Sequence, residues 1–167
     1  MLRLNLVLLF TLFASFPLFA SSADNMTNSK LDQALKNLSP QVEGTLGSWQ
    51  LQLGDFMIQI ITDEKADRMR MVSPVARSEE LSKEQLYRLM QANFDSALDA
   101  RYAIAHDVIW STYIHPLSPL TESELASAIH QVISLVATFG TSFSSTEFIF
   151  GGGDNQQPEN EQEDKTI

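Results

Sequence analysis

The sequence predicts an α+β domain: a mainly antiparallel five-stranded sheet in the order α-β-β-β-α-β-β-α, with helices packed on the sheet. Three observations carry this. Apolar side chains recur at helical spacing in three stretches, they alternate along five shorter stretches, and tight turns join most of the strands in pairs. Strands joined by hairpins run antiparallel, and helices at both ends and in the middle of the order must cover them.

The first helix starts at Ser29, read as its cap, and places Leu31, Ala34, Leu35 and Leu38 on one face until Pro40 stops it. Alternation follows in Trp49, Leu51 and Leu53, then in Phe56, Ile58 and Ile60. Gly54-Asp55 lies between these runs, and a glycine at the first central position suits a two-residue II′ turn. A looser polar turn at Asp63 to Asp67 leads into a third strand, Arg68 to Val72, ended by Pro74. The second helix is announced by Ser82 with Gln85, a capping box, and by Leu81 with Leu86, a hydrophobic staple. Leu86, Met90, Asn93, Phe94, Ala97 and Leu98 line its expected buried face. A second hairpin, residues 102–105 and 108–114, turns at His106-Asp107. The third helix repeats the grammar of the second, with Thr121 and Glu124 as box and Leu120 and Leu125 as staple.

The chain begins with Met1-Leu2-Arg3, runs uncharged from Leu4 to Ala20, and then offers the small residues Ala20 to Ala23. A basic start, an apolar centre and a small-residue cut site describe a signal peptide, taken as residues 1–23. The protein is therefore expected to be periplasmic or secreted. It meets a membrane only if that segment stays uncleaved. Residues 24–28 read as a flexible leader, residues 29–150 as the folded domain, and the Gly- then Gln/Asn/Glu-rich residues 151–167 as a disordered acidic tail. Removing Arg3 with the signal leaves 10 basic against 21 acidic side chains, a charge that argues against nucleic-acid binding. With no cysteine in the chain, the core has to stand without disulfides, and a lipoprotein anchor is excluded.

Between Leu31 and Phe139 the sequence resembles the type III secretion chaperone (Tir chaperone) family. The likeness lies in the element order, the hairpin from Trp49 to Ile61, Met71-Val72-Ser73-Pro74-Val75 ahead of a helix, the helix from Leu86 to Phe94, and the final hairpin leading through Pro116-Leu117 into the closing helix. The resemblance implies a small homodimer that binds extended segments of a client protein on apolar patches. It also implies a dimer contact built from the second helix and the late strands. Family members work in the cytosol, whereas this chain has an export signal and adds Phe139, Phe143, Phe148 and Phe150 before its tail.

The strands carry apolar residues on both faces, which calls for a second covering layer, either a helix or another molecule. The expected dimer or client-binding residues are Met57, Ile61, Leu86, Met90, Phe94, Ile109, Trp110 and Tyr113. His106, His115 and His130 have no ligand spacing, and Gly44 to Ser48 lacks the spacing of a nucleophile turn. No catalytic group, cofactor or metal is expected, so the chain reads as a non-enzymatic, chaperone-like protein-binding module. The alternative is a non-chaperone adaptor that docks to one folded partner.

Overall fold

Helix starts in this chain are written as side-chain caps, and the computed structural model, which describes residues 25–145, places each where a cap stands. Residues 1–24, which include the expected signal peptide, and residues 146–167, which include the expected tail, lie outside the described residues. Helix α1 is Asn28–Leu38, α2 is Lys83–Asp95 and α3 is Glu122–Ala137. Both expected capping boxes form, Ser82 with Gln85 and Thr121 with Glu124. The staple residues Leu81 and Leu86 pack against the core, and Leu120 and Leu125 are buried in it.

The first cap differs from expectation. Thr27, not Ser29, accepts from Lys30 N–H at 3.3 Å, and the preceding residue is drawn into the fold. Met26 is buried, and its N–H donates to Ser118 O at 2.9 Å. Residues 25–28, expected as a flexible leader, therefore form the entrance to α1. The cause is tertiary: Asn28 N–H donates to the Glu64 carboxylate at 2.6 Å, tying the helix start to a distant turn.

Among the described residues the sheet has six strands, not five. They are β1 (Val42–Thr45), β2 (Ser48–Leu53), β3 (Phe56–Asp63), β4 (Arg68–Arg77), β5 (Arg101–Ala105) and β6 (Val108–His115), in spatial order β1-β2-β3-β4-β6-β5 with every pairing antiparallel. The added strand is β1. It carries no apolar alternation because only Val42 is half-buried, and it forms by folding back on β2 through the Leu46-Gly47 turn. Gly44 is required there: its φ is +123° and a Cβ would stand 2.3 Å from Ser48 O. Strand β4 also runs past Pro74, which was expected to end it. From Ser73 onward β4 is paired with β6 but no longer with β3, and the register shifts between Pro74 and Ala76. An edge position with a bulge is where a strand tolerates proline.

The two turns read from sequence hold. Gly54 takes φ +57° at the first central position between β2 and β3. His106 and Asp107 both take positive φ, as a type I′ turn requires, between Ala105 and Val108.

All three helices contribute to one core with one face of the sheet. Leu31, Ala34 and Leu35 of α1, Leu89 and Ala92 of α2, and Leu125, Ala128, Val132 and Leu135 of α3 join Trp49, Leu51, Ile58, Ile60, Met69, Met71, Ile109 and Tyr113. Each large aliphatic side chain taken fully out of water contributes roughly 1.5–3 kcal/mol, so this layer dominates stability. Trp49 satisfies its ring N–H on the Asp32 carboxylate of α1 at 3.0 Å, which fixes α1 over β2.

Asp67, at φ +50° in the β3–β4 turn, clasps the segment before α3. Its carboxylate accepts from Ser118 N–H at 2.6 Å and from the Ser118 hydroxyl at 2.9 Å. These bonds, the backbone N–H foremost, hold its pKa below the usual 3.8. A carboxyl whose folded pKa is depressed stabilises the fold above its unfolded value and loses that contribution as pH falls through the folded value. Asn tolerates positive φ and does not titrate. The Asp67→Asn protein is therefore expected to be less stable at neutral pH and to lose less stability than wild type on acidification below 3.8, as read by urea melts at stepped pH. Equal acid limbs for the two proteins would contradict this.

Candidate protein-binding surfaces

Among the described residues, two apolar surfaces stand outside the closed core. One is the outer face of the sheet, opposite the helices. Pairing across β2, β3, β4 and β6 arranges it in rows: Ser48, Ile61, Arg70 and Ile114 in one, and Gln50, Gln59, Val72 and Thr112 in the next. Met57, Ile61 and Ile114 are 47%, 42% and 55% exposed on this face, and Val72 and Trp110 are half-buried on it. Glutamines occupy it toward β2, so the outer face is mixed, with its apolar part centred on β3, β4 and β6.

The other surface is a stripe on α2. Tyr87, Met90 and Phe94 follow one another at helical spacing and are 67%, 66% and 79% exposed. Ile104, near the end of the β5 edge strand, is exposed as well.

A set of buried polar contacts fixes α2 against the sheet. The Asn93 side chain donates to Tyr102 O at 3.0 Å and accepts from Tyr102 N–H at 2.7 Å, so it pairs with the free edge of β5 as a neighbouring strand would. The connection from α2 to β5 is held by Gln131 of α3, whose side-chain oxygen accepts from Asp99 N–H at 3.0 Å and Ala100 N–H at 3.1 Å. After α3 the chain returns to the same place. The Ser145 hydroxyl accepts from Leu98 N–H at 2.6 Å, and the Ser96 hydroxyl donates to Phe143 O at 2.7 Å. Phe139 and Phe143 stack edge-on with each other and with Tyr102, at centroid distances of 5.7–6.3 Å, and the Arg88 guanidinium lies 5.7 Å from the Phe143 ring centre. The Tyr102 hydroxyl donates to Leu135 O at 2.6 Å, and burial pushes its pKa far above the usual value. Phe139, Phe143, Ser144 and Ser145 thus act as internal packing, with the turn between the two phenylalanines exposed.

The eight residues expected at a binding surface divide into three groups. Met57, Ile61, Met90 and Phe94 are exposed. Leu86 packs partly against the core, and Trp110 is half-buried on the outer sheet face with its ring N–H on Ala105 O at 3.0 Å. Ile109 and Tyr113 are corrected: they point to the helices and are buried, because period-two alternation puts them on the face opposite Trp110 and Ile114. Sequence reasoning left out Tyr87, although its spacing to Met90 and Phe94 was the available sign, and it left out Arg70, which no apolar pattern marks.

The histidines stand in separate settings. His106 is in the β5–β6 turn, His115 stacks on Tyr113 at 5.9 Å, and His130 lies on α3 near Ser134. Among the described residues no group of three or more His, Asp or Glu is placed to hold a metal ion. No helix among them is long and apolar enough to cross a membrane.

No protein-family model matches the sequence, and no curated relative matches it either. Solved structures do match in fold. The type III secretion chaperone SycH of Yersinia pestis, solved with a stable fragment of YscM2, superposes at a TM-score of 0.53 with 17% identity, over 67% of this chain and 98% of that one. The chain has a type III secretion chaperone fold. The HopA1–SchA chaperone–effector complex matches at 0.53 and 11% identity, over 66% of this chain and 90% of that one. The ExsC–ExsE complex matches at 0.53 and 10% identity, over 67% and 95%. At such identities the chaperone fold is shared while side chains are not, so the surfaces of this chain have to be read from its own residues.

Proposed function

We propose that this chain is an exported, chaperone-like module that binds apolar segments of a client protein and works as a homodimer in the periplasm or outside the cell. The observation that carries the reading is the pair of exposed apolar surfaces on a chaperone fold whose neighbours were solved with protein partners. Monomeric soluble proteins rarely leave large side chains clustered in water without a binding use. The α2 stripe, a single rigid ridge, suits a second copy, since a two-fold axis sets the same ridge against itself. The outer sheet face, broad and mixed with a methionine and a tryptophan, suits segments of varied sequence. The uncharged run from Leu4 to Ala20 supports export. Neither surface brings together a nucleophile, a base and an orienting group, and the reading involves no catalysis.

The test is suppression of aggregation of a thermally unfolding reporter enzyme by the full-length protein, followed by light scattering. Wild type is expected to delay scattering, and Met57→Glu with Ile61→Glu to lose most of that delay while keeping the wild-type circular dichroism. No delay by wild type, together with a monomer at micromolar concentration, would end the proposal. Capture of one stoichiometric folded partner from periplasmic extract would assign the adaptor role instead.

A further inference from the structure

Arg70 is out of keeping with its surroundings. The protein carries a net charge of −10, yet this guanidinium stands on the outer sheet face in one cross-strand row between the exposed Ile61 and Ile114. Among the described residues it makes no ion pair and no hydrogen bond. The neighbouring charges do not neutralise it. Arg68 adds a second cation, with its guanidinium on Asp67 O at 2.9 Å, and the two arginines outweigh the single anion of Asp63, whose carboxylate accepts from Ala66 N–H at 3.0 Å within the turn. Together Ile61, Asp63, Arg68, Arg70 and Ile114 line a shallow cleft of about 350 Å³.

Adjacent strands are about 4.8 Å apart, so the two isoleucines flank the guanidinium closely on either side. An arginine in such a setting offers a planar, weakly hydrated fork to a carboxylate, while the flanking aliphatic surface excludes water from the pair. We propose that this cleft selects client segments in which an acidic residue sits between branched or aromatic apolar ones, the carboxylate meeting Arg70 and the apolar flanks covering Ile61 and Ile114. The proposal rests on the reading of the chain as a segment-binding module and names the client chemistry of one of its surfaces. A charge fixed amid apolar contacts confers register and specificity more than raw affinity. A module built this way holds apolar segments without holding all of them equally.

The experiment uses fluorescently labelled extended peptides that differ in one central residue, Glu, Gln or Lys, between isoleucine and valine flanks. Affinity for the full-length protein is read by anisotropy at low salt. The Glu peptide is expected to bind about fivefold more tightly than the Gln peptide, and the Lys peptide more weakly still. Arg70→Gln should remove the difference between Glu and Gln, Arg70→Glu should invert the order of Glu and Lys, and added salt should narrow the wild-type spread. Equal affinity for all the peptides would overturn the selectivity and leave the binding function standing, whereas binding to none would overturn both. Dissociation of a dimer by Arg70→Glu would assign the cleft to a second copy. Tighter binding after Glu159, Glu161 and Glu163 are changed to Gln would assign it to the chain's own end. Either result would displace the proposal.

Discussion

Replacing Phe94 with glutamate is expected to turn the proposed homodimer into a monomer without unfolding it. Phe94 is the most exposed large apolar side chain among the described residues, at 79%, so its removal takes little from the folded monomer, within about 0.5 kcal/mol. At a two-fold interface every residue acts twice. A central aromatic anchor is worth about 2 kcal/mol per copy when truncated, so the dimer should weaken by about 4 kcal/mol, on the order of a thousandfold. Glutamate adds a buried like-charge pair across the axis and raises the loss further. Sedimentation velocity across a concentration series, with circular dichroism and a thermal melt on the same samples, separates lost association from lost folding. A Phe94→Glu protein that sediments as wild type does would remove α2 from the proposed dimer contact.

The same helix explains where sequence reading went astray. Its apolar residues occupy two faces: Leu89 and Ala92 are buried with Leu86 partly so, while Tyr87, Met90 and Phe94 are exposed. Periodicity alone cannot rank two stripes on one helix, and the expected buried face of Leu86, Met90, Asn93 and Phe94 mixed them. Elements with a single partner were legible. Of the expected α3 stripe of Leu125, Ile129, Val132, Ile133 and Val136, the first three are buried and the last two half-buried, and both capping boxes form. In the sheet, the apolar residues on both faces were correctly seen, but which residue faced which way depended on register. That is why Ile109 and Tyr113 joined Trp110 in the expected surface although alternation alone separates them. Strand β1 escaped because Val42-Glu43-Gly44-Thr45 buries almost nothing, and its pairing is imposed by the turn beyond it rather than by any hydrophobic pattern. The extension of β4 through Pro74 depended on its pairing with β3 stopping at Val72 while its pairing with β6 continues, which is tertiary information.

The polar clamp beneath α2 gives the other large effect. Gln131 is almost fully buried on α3, an unusual place for an amide unless it is bonded at both ends, and it is: its oxygen receives the Asp99 and Ala100 N–H groups, and its nitrogen donates to the Ser127 hydroxyl at 3.2 Å. Leucine in its place fills similar volume but accepts nothing, leaving two backbone donors without this partner, the buried Ala100 N–H foremost. Each buried group left unpaired costs about 1–3 kcal/mol, so Gln131→Leu should destabilise the protein by about 3 kcal/mol and lower its melting temperature by roughly 10 °C. The damage should be local before it is global. Amide exchange should accelerate first at Asp99 and Ala100, then along the connection that Asn93 and Ser145 hold from its other sides. Since that connection sets the seat of α2, the affinity of the proposed dimer should fall along with stability even though Gln131 is no part of the exposed α2 stripe. Unchanged exchange at these two amides alongside a lowered melting temperature would mean that the loss arises from packing on α3 rather than from the clamp.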